Sequence, residues 1–214
     1  MEEKMFIKKF KKIVHWLAII MLTIPVYAVP QEALAAGATW YVSTAGNDIT
    51  GDGSSGNPFA TIQKGIDSAT NSDTIQIVSG TYNLTAVPAV NVNKQVTISG
   101  ESSSTTVISG SNKNTSVVNG QDVLFNVSSS NVTIQNLTID LGDGDADYDV
   151  GIYTDNSAGI NNLTVNNTRL LFASYGNVIG EQLIHLGGGS GASITNNTID
   201  TASGNSGLYV GDGL

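Results

Sequence analysis

A short pattern that occurs three times in the second half of the chain constrains the fold more than any other feature. Its copies span residues 132–140, 163–170 and 192–200, at offsets of 31 and 29 residues. The apolar positions of a copy lie two, then three, then two residues apart, as in Val132, Ile134, Leu137 and Ile139. A spacing of two predicts a β-strand, and the single longer step predicts a corner between two strands. Because one such unit cannot bury its apolar face alone, the copies are expected to stack.

An asparagine stands close to each predicted corner, at Asn136, Asn167 and Asn196. Asparagine tolerates the left-handed backbone conformation that a one-residue bend needs. Its side-chain amide can also hydrogen-bond to the coil above or below. We therefore expect these residues to form a line along one edge of the stack.

Each repeat also carries a third short apolar segment, and three strands per turn indicate a right-handed parallel β-helix. These segments are 125–127, 152–154, 184–186 and 208–210. The alternative is an antiparallel sandwich, which also uses short strands and Gly- or Asn-rich turns. A sandwich does not predict a register that is kept across three copies, so we favour the β-helix.

The segment from residue 37 to residue 90 predicts a cap for this stack. Phe59, Ile62, Ile66 and Ala69 fall on one face of a predicted helix between strands at 40–43 and 73–79. Such a helix covers unpaired strand edges, which is a stabilising role without chemistry. The predicted fold class is thus all-β, a right-handed parallel β-helix with a short N-terminal capping α-helix.

Three segments follow from these patterns. Residues 1–36 are a leader, 37–90 hold the cap and first strands, and 91–214 hold the coils. The chain ends at Leu214, just after a strand that would seed another coil. Because an uncovered coil exposes strand edges, we expect a longer parent protein.

The leader has the order of a secretory signal peptide. An apolar run at 13–29 precedes the small residues Ala33 and Ala35, which predict cleavage after Ala35 or Ala36. A basic cluster stands before the run, at Lys8, Lys9, Lys11 and Lys12. The alternative is an uncleaved membrane anchor, but a span needs about 20 apolar residues. This run is shorter and contains His15 and Pro25.

Composition excludes several classes of function. The chain has no cysteine, so a disulfide framework, a thiolate zinc site and a cysteine nucleophile are absent. Without the leader, four basic residues face fifteen acidic ones, for a net charge of −11. That balance disfavours nucleic acid as a partner. We expect a secreted or cell-surface monomer of bacterial type, without a membrane partner after cleavage.

Four segments of the N-terminal part carry a family resemblance: 40–48 (WYVSTAGND), 51–54 (GDGS), 57–67 (NPFATIQKGID) and 73–82 (DTIQIVSGTY). They resemble the N-terminal module of secreted pectate-lyase-like β-helix proteins, which include a conserved domain of unknown function and the polysaccharide lyases of family nine. The coils from about residue 123 resemble the generic parallel β-helix repeat. The resemblance implies a β-helix with a polysaccharide groove on one outer face. It leaves the reaction open, because the superfamily holds lyases, hydrolases, epimerases and non-catalytic surface proteins.

The middle residues of the third strands are predicted to point outward and to form a ladder. They are Asn126, Tyr153, His185 and Tyr209, on coils about 4.8 Å apart. Aromatic rings offer flat faces with a polar tip that suit sugar rings, so this ladder is the candidate binding surface for polysaccharide or cell-surface glycan. The alternative is that these side chains only stack on one another and stabilise the sheet.

An acidic segment precedes the strand that carries Tyr153. Alternate carboxylates repel one another unless they are solvated or bridged by a cation, and Ca²⁺ prefers six to eight oxygen ligands. The tentative calcium ligands are Asp143, Asp145, Asp147 and Asp149. The alternative is a solvated acidic turn. Asp48 and Asp52 form a second candidate, for which turn formation is the simpler explanation.

The catalytic candidates lie near the same ladder. His185 is the only histidine of the mature chain and titrates near neutrality. Glu181 and Asp155 fall close to it and offer paired carboxylates for glycoside hydrolysis. The alternative for His185 is an ordinary ladder residue.

A lyase needs a base that removes a proton from a uronate, and the resemblance implies Lys or Arg in that role. The mature chain has only Lys64, Lys94, Lys113 and Arg169, and none falls on the predicted ladder. Two functions therefore stay open, a carbohydrate-active enzyme (lyase or glycoside hydrolase) and a non-catalytic surface or adhesion module.

Overall fold

The chain divides into two units, 1–35 and 36–214. A computed structural model describes residues 37–84, 90–110, 117–118, 121–141, 149–154, 159–172 and 182–201, all in the second unit. Within them, no helix is long and apolar enough to cross a membrane.

The strands form three sheets. The first contains β1 (Thr39–Val42), β2 (Thr74–Ile77), β5 (Thr97–Gly100), β9 (Thr133–Gln135), β12 (Thr164–Asn166) and β15 (Ser193–Thr195). The second contains β3 (Gly80–Asn83), β6 (Thr106–Ser109), β10 (Thr138–Asp140), β13 (Arg169–Phe172) and β16 (Thr198–Thr201). The third contains β4 (Val90–Val92), β8 (Gln121–Val127), β11 (Asp149–Thr154) and β14 (Gln182–His185), and β7 (Val117–Val118) adds antiparallel to β8.

Neighbouring strands of each sheet come from successive coils and pair in parallel, with β7 as the exception among the described strands. This order is that of a parallel β-solenoid of about four turns, and the predicted fold class is confirmed.

The core is built from lines of apolar residues in register. In the first sheet Ile75, Ile98, Ile134 and Val165 are paired from strand to strand, and all four are fully buried. A second line runs through Tyr82, Ile108, Ile139 and Leu170 in the second sheet. Each buried aliphatic side chain contributes roughly 1.5–3 kcal/mol, so the repeat itself supplies the stabilising core.

The predicted asparagine corner is present. Asn136, Asn167 and Asn196 have φ values of 57°, 49° and 56°, in the left-handed region. The Asn167 amide nitrogen donates to the Asn136 side-chain oxygen over 2.7 Å. The Asn196 amide donates instead to Asn166, over 3.0 Å. The left-handed corner and the line of asparagine side chains along it are both as predicted. In the last coil the hydrogen-bond acceptor is shifted by one residue, from Asn167 to Asn166.

A second asparagine corner was not predicted. Asn131 and Asn162, which precede the first-sheet strands of successive coils, have φ values of 56° and 58°. The Asn162 amide donates to the Asn131 side-chain oxygen over 2.9 Å. This corner could have been predicted from the sequence. Asn131 and Asn162 are 31 residues apart, as the repeats are, and each directly precedes an inward apolar residue.

The outer face of the first sheet carries a line of hydroxyl side chains. Adjacent strands place these residues opposite one another, and each is partly or fully exposed. The line consists of Thr39, Thr74, Thr97, Thr133, Thr164 and Ser193. A parallel line of polar side chains and one tyrosine lies beside it, at Tyr41, Gln76, Ser99, Gln135, Asn166 and Thr195. Neither line contains a charged residue.

The predicted capping helix is α1 (Ile62–Ser68), and it packs against β1, β2 and β4. Its apolar face is buried, as predicted, with Ile62 and Ile66 at 2% and 0% exposed. Thr61 is the N-cap and accepts the backbone N–H of Lys64 at 3.2 Å. Because β1 and β4 are the outermost strands of their sheets, the helix covers one end of the described stack.

Candidate functional site

The middle residues of the third-sheet strands form a ladder on its outer face. Asn126 is paired with Tyr153, and Tyr153 with His185. The ladder also contains Asn91, which is paired with Asn126. Asn91 was missed by sequence reasoning, although residues 90–92 repeat the apolar–Asn–apolar order of 125–127. Tyr209 lies outside the described residues.

Two pairs of neighbouring ladder residues contact each other through their side chains. The Asn126 amide donates to the Asn91 side-chain oxygen over 3.0 Å. The rings of Tyr153 and His185 are stacked, with centroids 4.9 Å apart and planes 13° from parallel. This is the stacking that parallel rungs at about 4.8 Å allow.

The first rung is held by the capping helix. The Gln63 side-chain oxygen accepts the backbone N–H of Asn91 at 2.8 Å. The Gln63 amide donates to the Asn91 carbonyl at 3.4 Å and to Asp67 at 2.8 Å. Helix and ladder are therefore fixed relative to each other by side-chain bonds that the sequence pattern did not predict.

The strands of the third sheet bend below the ladder. Leu124 and Phe125 of β8 are both buried in the main core, and so are Leu183 and Ile184 of β14, two strands further along. Neighbouring residues of a straight strand face opposite sides. Two consecutive inward residues therefore require a bend in the strand.

The bend brings together outward residues from its two sides. Val123, Val150 and Tyr153 form an apolar cluster separate from the main core, with exposed fractions of 2%, 0% and 4%. Gly151 occupies the inward position at the bend, where a Cβ atom would lie 3.3 Å from a core methyl group of Ile139. We call Val123, Val150 and Tyr153 the outer cluster.

The outer cluster changes what Tyr153 can do. The expectation was an aromatic face open to a sugar ring, but only 4% of Tyr153 is exposed. The ring belongs to the outer cluster with the two valines and also stacks on the ring of His185. Asn91, Asn126 and His185 are half-buried and keep accessible surface. Any role of the ladder in substrate binding stays a prediction, with Tyr153 beneath the contact surface.

His185 is the ladder residue whose side chain titrates near neutral pH. Its partial burial lowers the pKa of the imidazole below its ordinary value. The ring is therefore held mainly in its neutral form at neutral pH, as a general base requires. Glu181 and Asp155, its predicted partners, lie outside the described residues, so the catalytic assignment stays a prediction.

Most of the predicted calcium segment also lies outside the described residues. Asp143, Asp145 and Asp147 are not described, and only the backbone of Asp149 is, where it pairs with Asp122 of β8. In the described part of the chain, no three His, Asp or Glu side chains are grouped closely enough to hold a metal ion.

The Asp52 side chain forms a turn, as the simpler explanation predicted, whereas the Asp48 side chain ties its loop to the start of α1. Asp48 accepts the backbone N–H groups of Ala60 and Thr61, at 2.7 and 3.1 Å, and the Thr61 hydroxyl at 2.7 Å. Asp52 accepts the Ser54 N–H at 2.9 Å, and bonds from Ser54 lower the pKa of its carboxyl. Both carboxylates are thus used in holding the loop that leads into α1.

Three of the four basic residues that follow residue 36 are described, and each has a structural partner. Lys64 lies over the Phe59 ring, 5.6 Å from its centroid. Lys94 donates to three carbonyl oxygens at the end of α1, at 2.7 to 2.9 Å. Arg169 pairs with Asp200 on the second sheet. Lys113 lies outside the described residues.

Two solved structures resemble this fold. A rhamnogalacturonan lyase matches with a TM-score of 0.57 and 16% identity, over 77% of this chain and 51% of its own. Pectin methylesterase PemA from Erwinia chrysanthemi matches with a TM-score of 0.44 and 19% identity, over 72% of this chain and 48% of its own. The chain thus spans about half the length of these structures. The first likeness supports the parallel β-helix fold alone.

Curated proteins offer no sequence match. A family described as a protein of unknown function, DUF1565, matches residues 44–211. That match covers more than half of the chain, including the loop before α1, the helix and every described strand after β1, so this chain belongs to the DUF1565 family.

Proposed function

We propose that the chain is an exported β-helix module that binds polysaccharide along the outer face of its third sheet. The observation that carries this proposal is the ladder of Asn91, Asn126, Tyr153 and His185 in continuous register. The accessible polar groups of this ladder, on Asn91, Asn126 and His185, follow one another along the stack of coils, as the binding surface for a linear polymer would. Export rests on the leader, with cleavage after Ala35 or Ala36.

The residues of the ladder have different roles in this proposal, because they expose different chemical groups. Asn91 and Asn126 offer amide groups that can donate to and accept from sugar hydroxyls. His185 offers one ring edge, and Tyr153 lies beneath it as the platform on which the imidazole stacks. In this proposal, the binding surface consists of the polar rungs, while Tyr153 positions His185.

Charge favours either a neutral glycan or a calcium-bridged acidic one. The mature net charge of −11 repels a polyanion. We propose the acidic segment with Asp143, Asp145, Asp147 and Asp149 as the calcium site that would relieve this repulsion. The segment leads directly into β11, which carries Tyr153.

The described residues favour a protein that binds polysaccharide but does not cleave it as a lyase does, by β-elimination. Lys64, Lys94 and Arg169 are engaged by Phe59, the carbonyls at the end of α1, and Asp200. None is positioned as the base of a lyase. A non-catalytic surface module is therefore the first form of the proposal. A glycoside hydrolase using His185 with Glu181 and Asp155 is the second, supported by the lowered pKa of His185.

The test is calorimetric titration of the chain from residue 37 with polygalacturonate, rhamnogalacturonan and a neutral β-glucan, each with calcium and with chelator. The variants are Asn126→Ala and His185→Ala. The matched controls are Thr133→Ala and Gln135→Ala, which remove half-buried polar side chains from the outer face of the first sheet. Loss of one hydrogen bond is worth about 0.5–1.5 kcal/mol, so each ladder variant should weaken binding about three- to tenfold.

Equal binding by ladder and control variants would overturn the proposed surface. Calcium-dependent binding to polygalacturonate that is lost in Asp145→Asn/Asp147→Asn supports the metal site, and binding unaffected by chelator refutes it. Reducing ends or unsaturated uronates that accumulate with wild type, but not with His185→Ala, would make the module an enzyme.

A further inference from the structure

A carboxylate at the start of the fold is buried without a cationic partner among the described residues. Asp73 is 4% exposed. Its Oδ2 accepts the Trp40 indole N–H at 3.0 Å, the Thr70 N–H at 2.8 Å and the Thr70 hydroxyl at 3.1 Å. Its Oδ1 accepts the backbone N–H of Ala38 at 2.7 Å. All these donors are neutral, so the negative charge is hydrogen-bonded but not compensated.

The two oxygens of Asp73 are not equally used. Oδ2 accepts three bonds from described residues, whereas Oδ1 accepts one, from the second residue of the described part. A carboxylate oxygen accepts about two bonds readily. The oxygen with room for another donor is therefore the one on the side of Ala38, where the chain enters the fold.

Gly37 is packed against the residue that precedes Asp73. A Cβ atom on Gly37 would lie 1.8 Å from the Ser72 carbonyl oxygen and 2.9 Å from the Asp73 Cα. Only glycine fits there. The backbone of Gly37 is therefore held beside Asp73, one residue before the N–H that already donates to it.

Removal of the leader creates a positive charge at this place. Of the two predicted cleavage sites, the one after Ala36 leaves the α-amino group on Gly37. At neutral pH much of this amine is protonated, since its ordinary pKa is about 7.7–8.0. An ammonium donates up to three hydrogen bonds. Placed beside Asp73, it would compensate a buried negative charge that is costly to leave without a counter-ion.

We propose that the α-ammonium of the processed N-terminus is the counter-ion of Asp73, so that removal of the leader completes the first coil. This inference rests on the proposed export. The buried carboxylate is then a receptor for the chain's own new terminus, and the folded domain is more stable after processing than before.

The experiment compares two chains that both begin at Gly37 and differ only in the terminal charge, one with a free amine and one acetylated. Thermal unfolding at about pH 6.5 should show a Tm lower by about 3 °C for the acetylated chain, since 1 kcal/mol corresponds to roughly 2–4 °C at this size. The same pair carrying Asp73→Asn should show no difference. Equal Tm values for the free and acetylated chains would overturn the proposal.

The Asp73→Asn chain is expected to be the least stable, so a second measurement on the wild-type chain is needed. The pH dependence of acylation of the terminal amine gives its pKa directly. Pairing with Asp73 should raise that pKa above its ordinary value, and an unshifted pKa would refute the pairing. Neither measurement depends on polysaccharide binding. The mass of the exported protein tests leader removal separately.

Discussion

The first and third sheets are made by the same coils, yet their outer faces differ. In the first sheet the strands present a line of Thr and Ser residues, from Thr39 to Ser193, all at least partly exposed. In the third sheet the strands bend, and the outward residues Val123, Val150 and Tyr153 are buried in the outer cluster.

The difference shows how a repetitive fold acquires a distinctive surface. A straight strand alternates one residue in and one out, so identical coils give identical faces. Two consecutive inward residues, such as Leu124 and Phe125, interrupt that alternation, and the outer face of the third sheet carries a buried apolar cluster instead of a regular polar line. The candidate binding ladder lies where the regular pattern stops. Each of the following variants tests whether the two faces differ in this way.

The largest expected effect is at Tyr153. Replacing it by Ala removes a ring buried against Val123 and Val150, and we expect a loss of about 3 kcal/mol or more in the free energy of unfolding. The matched substitution on the first sheet, Thr133→Ala, removes a half-buried hydroxyl. It should lower the free energy of unfolding by at most about 1 kcal/mol. Urea unfolding of both variants measures the difference. Similar small losses would mean that the outer cluster is not a second core.

Gly151 tests the bend itself. A Cβ atom there would lie 2.6 Å from the Leu183 carbonyl oxygen, so Gly151→Ala should displace the backbone of β11 or β14 and cost about 1–3 kcal/mol. Gly56→Ala is the control, because a Cβ at Gly56 meets nothing within 4 Å. Urea midpoints that fall equally for both variants would contradict the close approach at the bend.

Asn167 tests the regular side of the comparison, at the corner that follows the first sheet. Its φ of 49° costs a residue such as Ala about 1 kcal/mol. Glycine adopts this conformation freely, so Asn167→Gly should lose only the bond to Asn136. We expect the Tm of Asn167→Ala to lie below that of Asn167→Gly. The reverse order would contradict backbone strain at residue 167, because both variants lack the bond to Asn136 and differ only in how readily they adopt this φ.

The smallest expected effect is the pH response of His185. Because burial lowers its pKa in the folded state, the unfolded chain binds a proton more readily. The stability contributed by neutral His185 is therefore present above the unfolded pKa of about 6.5 and is lost as pH falls through the folded pKa. In His185→Gln, the urea midpoint of unfolding should change less with pH between about pH 5 and 7 than it does in the wild type. In Thr133→Ala, the midpoint should keep the pH dependence of the wild type. A wild-type slope in His185→Gln would assign the response to another group.

The sequence by itself determined the coil, the inward positions of its strands and the Asn136–Asn167 corner. These features repeat at 31 and 29 residues, and a repeat is visible because each coil meets the same neighbours as the one before. The cap was also predictable, since Phe59, Ile62, Ile66 and Ala69 share a helical face. The ladder of Asn126, Tyr153 and His185 followed from the same register.

Only the tertiary structure decided what the ladder residues and Asp73 contact. Leu124 and Phe125 are adjacent apolar residues, and the sequence does not tell which of them faces the core. In the packed structure both do. It is this packing that buries Tyr153. Asp73 looked like the start of a strand, yet its donors Ala38 and Trp40 are 35 and 33 residues away in sequence. Short periods in a sequence encode contacts between equivalent residues, whereas a bend or a buried charge depends on unlike residues that meet once.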